Sequence, residues 1–159
     1  SESYCAYDWS LLEPNGADAG NMRSTGSHIH IGFEITEEFD GDFVQRLMFC
    51  MDKELGIPSL NIDSDVERRK LYGVAGDYRD KFLNEKGKTL ERHEAEDAKI
   101  VILEYRSLGG ALVDDPAFLF EGTQEAIKLF NSDYVFEEEE ICKQRDLINH
   151  QVKVLEHVE

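Results

Sequence analysis

The chain of 159 residues predicts an α+β fold. Two segments alternate apolar and polar residues with the period of a strand, at His28-Ile29-His30-Ile31 and at Leu103-Glu104-Tyr105-Arg106. Three others repeat apolar residues every three or four positions, over about 42–55, 116–130 and 137–157. The length fits one domain, and a chain of this size buries roughly 68–70% of its unfolded surface.

In order along the chain, residues 1–27 read as a polar lead-in with turn chemistry at Pro14-Asn15-Gly16. Residues 28–35 are the first strand. Asp40 or Asp42 then caps a helix carrying Phe43, Leu47, Cys50, Met51 and Leu55. Gly56-Ile57-Pro58 is expected to stop it. A polar stretch from Pro58 to Lys81 follows. Residues 83–98 are strongly charged and read as an exposed loop or hairpin insertion. Residues 99–108 form the second strand, rich in β-branched side chains. After Gly109-Gly110 come the two last helices. The run Glu137 to Glu140 suits the positive end of the final one. Ile141, Leu147, Ile148, Val152 and Leu155 make its expected buried stripe.

Composition excludes several function classes. Lys and Arg total 17 against 34 Asp and Glu, a net charge of −17. Nucleic-acid and anionic-membrane partners both require clustered cations and are not expected. No run of about 20 apolar residues is present to span a bilayer. SESYCAYDWS lacks a basic region followed by an apolar core, so no signal peptide is expected. Three scattered cysteines, Cys5, Cys50 and Cys142, form no disulfide framework and fit reduced thiols in a cytoplasmic setting.

The chemistry-bearing residues sit on the strands. His28 and His30 share one strand face, with Ile29 and Ile31 on the other. Imidazole is a common metal ligand and carries protons near neutral pH. Glu104 and Arg106 also share a face and pair a hard-cation ligand with a phosphate binder. Between the strands, Arg68, Arg69 and Arg79 bracket Gly73 and Gly76. In so acidic a chain these arginines suggest an anion cradle for a nucleotide phosphate or an acyl phosphate. The stretch is not a P-loop, since the closing Gly-Lys-Ser/Thr is missing. An ordinary polar strand face, or loop arginines paired with the many acids, remains the plain alternative.

Three stretches together, RSTGSHIHIGF, LGIPSLNIDSDVERRKLYGVAGDYR and ILEYRSLGG, resemble the C-terminal catalytic portion of the glutamine-synthetase-like amidoligases. Among these the resemblance is greatest to the phage-type carboxylate–amine ligase, type 2. It spans roughly residues 23–110. It implies a glutamine-synthetase-like antiparallel sheet with helices packed on one side. It implies an ATP-dependent enzyme that joins a carboxylate to an amine through an acyl phosphate, with Mg²⁺ bridging the phosphates. The substrates would be small molecules or peptides, in the cytoplasm, of a host cell if phage-encoded. By the family pattern His28 and Glu104 match metal ligands, and His30 lies near the ATP phosphates. Arg106 matches a phosphate- or substrate-contacting residue. Arg68, Arg69 and Arg79 match phosphate and acyl-phosphate stabilisers, Arg69 and Arg79 on the nucleotide.

One departure stands out. The family draws further acidic metal ligands from an N-terminal half, and nothing before Arg23 resembles that half. The resemblance therefore implies an incomplete domain: a fragment, a split-gene subunit or part of a longer polypeptide, with a sheet edge that a missing half or partner subunit would cover. Two further readings compete. One is a non-catalytic structural or interaction module derived from this fold. The other is a metal-dependent hydrolase with His28, His30 and Glu104 on zinc, which needs convergence of all three and leaves the arginines without a task.

Overall fold

A computed structural model describes residues 3–8, 11–12, 26–63 and 73–150. Five antiparallel strands form one sheet: β1 (Ser3–Cys5), β2 (Leu11–Leu12), β3 (Gly26–Glu34), β4 (Asp77–Leu83) and β5 (Ile100–Gly109). Their order across the sheet is β2-β1-β4-β5-β3. The helices are α1 (Gly41–Met51), α2 (Ile57–Ser59), α3 (Pro116–Phe130) and α4 (Glu138–His150). The chain is thus α+β with an antiparallel sheet.

The core lies on one face of that sheet. Val101, Leu103 and Tyr105 alternate along β5 and are fully buried, clustered with Leu47, Met48, Met51 and Leu55 from the first helical region and Ala126 of α3. Ile29, Ile31 and Phe33 of β3 turn to the same side and pack against the cluster half-buried. The opposite alternation positions, His28, His30, Glu104, Arg106 and Arg79, therefore face away from the helices.

Local chemistry explains the element boundaries. The Asp40 carboxylate accepts from the Phe43 amide at 2.9 Å and caps α1. Asp115 does the same for α3 through Phe118, with Pro116 at the first helical position, where its missing N–H costs least. The strand spans 28–35 and 99–108 and the helix span 116–130 match within two residues. The acidic run also falls in the first turn of α4.

Four expectations need correction. The stretch from Pro58 to Lys81 does not end as a loop: Asp77 to Leu83 pair with β5 as strand β4, so Arg79 sits on a strand. The helix does not stop at Gly56-Ile57-Pro58. It widens into a π turn over Asp52–Gly56, in which the Ile57 amide reaches back to the Asp52 carbonyl, and then resumes through Pro58 to Ser59. The widened turn puts Pro58 at the start of a new α-helical turn, where proline is tolerated. The lead-in is not merely polar either: Tyr4 pairs with both Leu11 and Tyr78, so its first residues form two strands. In α4 Gln144 is buried along with Ile148, while Ile141 and Leu147 are half-buried and Val152 and Leu155 lie outside the described residues. The charged insertion 83–98 is a turn organised by the Asn84 side chain, which accepts from Lys86 and Lys88 at 2.9 Å, followed by an exposed 3₁₀ helix at Arg92–Asp97. Among the described residues no helix is long and apolar enough to cross a membrane.

Candidate functional site

Two short sequences build the site from opposite directions. Asp77-Tyr78-Arg79 on β4 and Glu104-Tyr105-Arg106 on β5 each place an acid and an arginine two residues apart. Tyr78 stands opposite Tyr105 in the antiparallel register, both on the core face. Each strand then meets the other's opposite charge. Arg79 stands across from Glu104, and Arg106 Nε lies 3.8 Å from Asp77 Oδ1. On the other side of β5, His30 is paired in register with Glu104. One row across three strands therefore reads His30, Glu104, Arg79.

Beside this row the ladder is irregular. Ser27 pairs with Leu108 and Ile29 with Tyr105, so Arg106 and Ser107 together oppose His28 alone. Such a bulge re-aims side chains and is common next to functional sites. Here it accompanies a close approach of His28 Nδ1 to Glu104 Oε1, at 2.9 Å. Arg106 Nη1 donates to the same oxygen at 2.7 Å. The Ser107 hydroxyl, beside the bulge, donates to Val74 O at 2.7 Å and so ties the Gly73–Gly76 turn to β5. Gly73 and Gly76 adopt φ of 76° and 65°, which a side chain would strain. That turn delivers β4 and hence Asp77 and Arg79.

Burial is graded across the cluster. The side chains of Arg106, Glu104 and His28 are 4%, 15% and 30% exposed. Arg106 is thus held inward as the partner of two carboxylates, whereas His28 and His30 stand outermost. Burial first, and then the Arg106 guanidinium, lower the His28 imidazole below its ordinary pKa. The neutral ring is the form that binds a cation. Burial also lowers the pKa of Arg106, which stays charged at any physiological pH.

Of the residues expected from sequence, the structure brings His28, His30, Arg79, Glu104 and Arg106 to one sheet face. Arg68 and Arg69 lie outside the described residues. Asp77 was missed, although the repeat of acid-x-Arg in Asp77-Tyr78-Arg79 and Glu104-Tyr105-Arg106 was there to find it. Glu104 Oε1 is a hard-cation donor, and its 2.9 Å distance from His28 Nδ1 is also close to the spacing of about 3 Å between neighbouring ligands on an octahedral ion with bonds of about 2.1 Å. Among the described residues no three His, Cys, Asp or Glu side chains form a metal-binding group. A Mg²⁺ ion does not require one, since it keeps waters and substrate phosphates in its shell. Comparison of the chain with protein-family models, curated proteins and solved structures found no match.

Proposed function

We propose that this sheet face is the phosphate and metal end of an ATP-dependent carboxylate–amine ligase with a glutamine-synthetase-like fold. The observation that carries the reading is the row His30, Glu104, Arg79 with His28 and Arg106 beside it. It places two imidazoles, a carboxylate and two guanidiniums on one face of an antiparallel sheet whose other face is the core. The sequence resemblance names the same five residues, with Arg106 as a phosphate- or substrate-contacting one.

In the proposed reaction a substrate carboxylate oxygen attacks the γ-phosphorus of ATP, and the bond to ADP breaks. The nitrogen of an amine then attacks the acyl carbon. Phosphate leaves with its bonding electrons, the nitrogen loses a proton, and an amide results. Such chemistry is mostly positioning and charge neutralisation. Glu104 and His28 would hold the Mg²⁺ ion, which when bound neutralises phosphate charge. Arg79 would pair with phosphate oxygens, and His30 would stand beside them. Arg106 would act from behind, fixing Glu104 Oε1 by its 2.7 Å bond. Arg68 and Arg69 would complete the anion cradle.

The test uses hydroxylamine in place of the unknown amine. Wild-type chain with Mg·ATP and a panel of amino acids and acidic peptides should release ADP and form a hydroxamate with at least one carboxylate, and Glu104→Gln should abolish both. Hydroxamate formation at wild-type rate in Glu104→Gln would refute the assignment.

A further inference from the structure

Behind that face, on the core side, a buried carboxylate meets β5 between the two residues the site depends on. Asp52 is fully buried at the first position of the π turn. The Tyr105 hydroxyl donates to its Oδ1 at 2.5 Å and the Tyr7 hydroxyl to its Oδ2 at 2.7 Å. Gln144 Nε2 donates in turn to the Tyr7 oxygen at 2.9 Å and to the Phe49 carbonyl at 3.1 Å. Three regions therefore meet at one carboxylate, the turn after β1, the π turn and β5, and α4 joins them through Tyr7.

A buried carboxylate is costly even when satisfied, and an apolar side chain would fill the same space at less expense. Its position supplies a reason. Tyr105 lies between Glu104 and Arg106 and is the last residue in register before the bulge. Successive strand residues point to opposite faces, so tethering the Tyr105 hydroxyl on the core side sets the roll of the strand. That roll aims Glu104 and Arg106. The helix is shaped to receive it: a Cβ on Gly56 would stand 2.7 Å from the Tyr105 hydroxyl and 3.2 Å from Asp52 Oδ1. Glycine at the end of the π turn is what lets the tyrosine reach the carboxylate. Burial and the neighbouring Asp52 raise the pKa of the Tyr7 hydroxyl, so it persists as a donor at physiological pH.

We infer that Asp52 is a positioning residue, acting through the Tyr105 hydroxyl to hold the Glu104–Arg106 pair in register with His28 and Arg79. The inference rests on the ligase reading for the task of that pair, but not for the positioning itself.

The experiment compares Tyr105→Phe, Asp52→Asn and Tyr7→Phe in the full chain. It reads the exchange rate of the Arg106 Nε proton by ¹⁵N NMR, Mg·ATP affinity by calorimetry, and the melting temperature. Tyr7→Phe removes one hydrogen bond from the same carboxylate but leaves the Tyr105 tether. Tyr105→Phe and Asp52→Asn should speed Arg106 exchange at least tenfold and weaken Mg·ATP at least tenfold. Tyr7→Phe should lower the melting temperature to a similar extent and change the other two by less than twofold. Equal effects of the two tyrosine substitutions on Arg106 exchange, or no effect of Tyr105→Phe, would overturn the inference. If wild type binds no Mg·ATP, the ligase reading fails, and the exchange rates alone decide the positioning role.

Discussion

Glu104 Oε1 takes two partners at once, His28 Nδ1 at 2.9 Å and Arg106 Nη1 at 2.7 Å. That convergence makes two substitutions informative. Glu104→Gln keeps the shape but leaves Arg106, 4% exposed, without its nearer carboxylate. A loss of about 1–3 kcal/mol in urea unfolding is expected, from the cost of stranding a buried hydrogen-bonding group. A loss below that range would mean the Glu104–Arg106 bond is not formed in solution. Arg106→Lys keeps the charge and loses the planar fork, and one ammonium cannot serve the directions of both Glu104 and Asp77. It should weaken Mg·ATP binding, and a dissociation constant equal to wild type would remove the fork from the account. The thiols offer a separate check on burial. Burial pushes Cys5 up to about 11 and Cys50 up to about 12, while Cys142 is half-buried. Iodoacetamide at pH 8 should therefore modify Cys142 alone in the folded protein and all three after unfolding. Mass spectrometry showing early labelling of Cys50 would contradict the packing of α1.

Among the elements, α3 ends on a side chain from α1. Arg46 donates to the carbonyls of Leu129 and Phe130 at 3.2 Å, Ser132 at 3.0 Å and Tyr134 at 2.6 Å. Leu129 and Phe130 lie in the last turn, at the negative end of the helix, and Ser132 and Tyr134 just beyond it, so one guanidinium ties the helix end and the chain that leaves it to α1. Arg46→Ala should cost about 2–4 kcal/mol, by the usual worth of hydrogen bonds to a charged group. A loss below about 1 kcal/mol would show that water replaces the guanidinium freely. Nothing in the sequence near Arg46 signals this, because its partners lie more than 80 residues away. The same reason hid the Tyr7–Asp52–Tyr105 contact, which joins residues 45 and 53 positions apart. The π turn was misread as a helix stop, since Gly56 and Pro58 carry local stop signals that tertiary contact overrides. The two strands at His-x-His and Glu-x-Arg were legible, because period-two alternation is local. Strands of two or three residues, such as β1 and β2, are too short to show a period.

At the scale of the molecule, one sheet divides a helix-covered core from a polar face. Its patterning was readable residue by residue, yet the pairing of β4 with β5, which aligns Arg79 with Glu104, is a long-range fact. The core carries its own pH signature. Burial raises the pKa values of Cys5 to about 11 and of Cys50 and Tyr78 to about 12. The folded chain thus keeps protons that the unfolded chain releases. Stability from these groups is full below about pH 9 and is lost as pH rises toward 12. Urea midpoints should fall steadily from pH 9 to 11, with a shallower slope in Cys50→Ala. A flat profile would contradict the buried state of these groups. Against a net charge of −17, the polar face sets the guanidiniums of Arg79 and Arg106 beside the carboxylates of Glu104 and Asp77. The most direct measurement is calorimetric titration of the chain with ATP, with and without Mg²⁺, beside Glu104→Gln. The account predicts binding that requires Mg²⁺ in wild type and disappears in the variant. Absence of binding in wild type, or equal binding in both proteins, would contradict it.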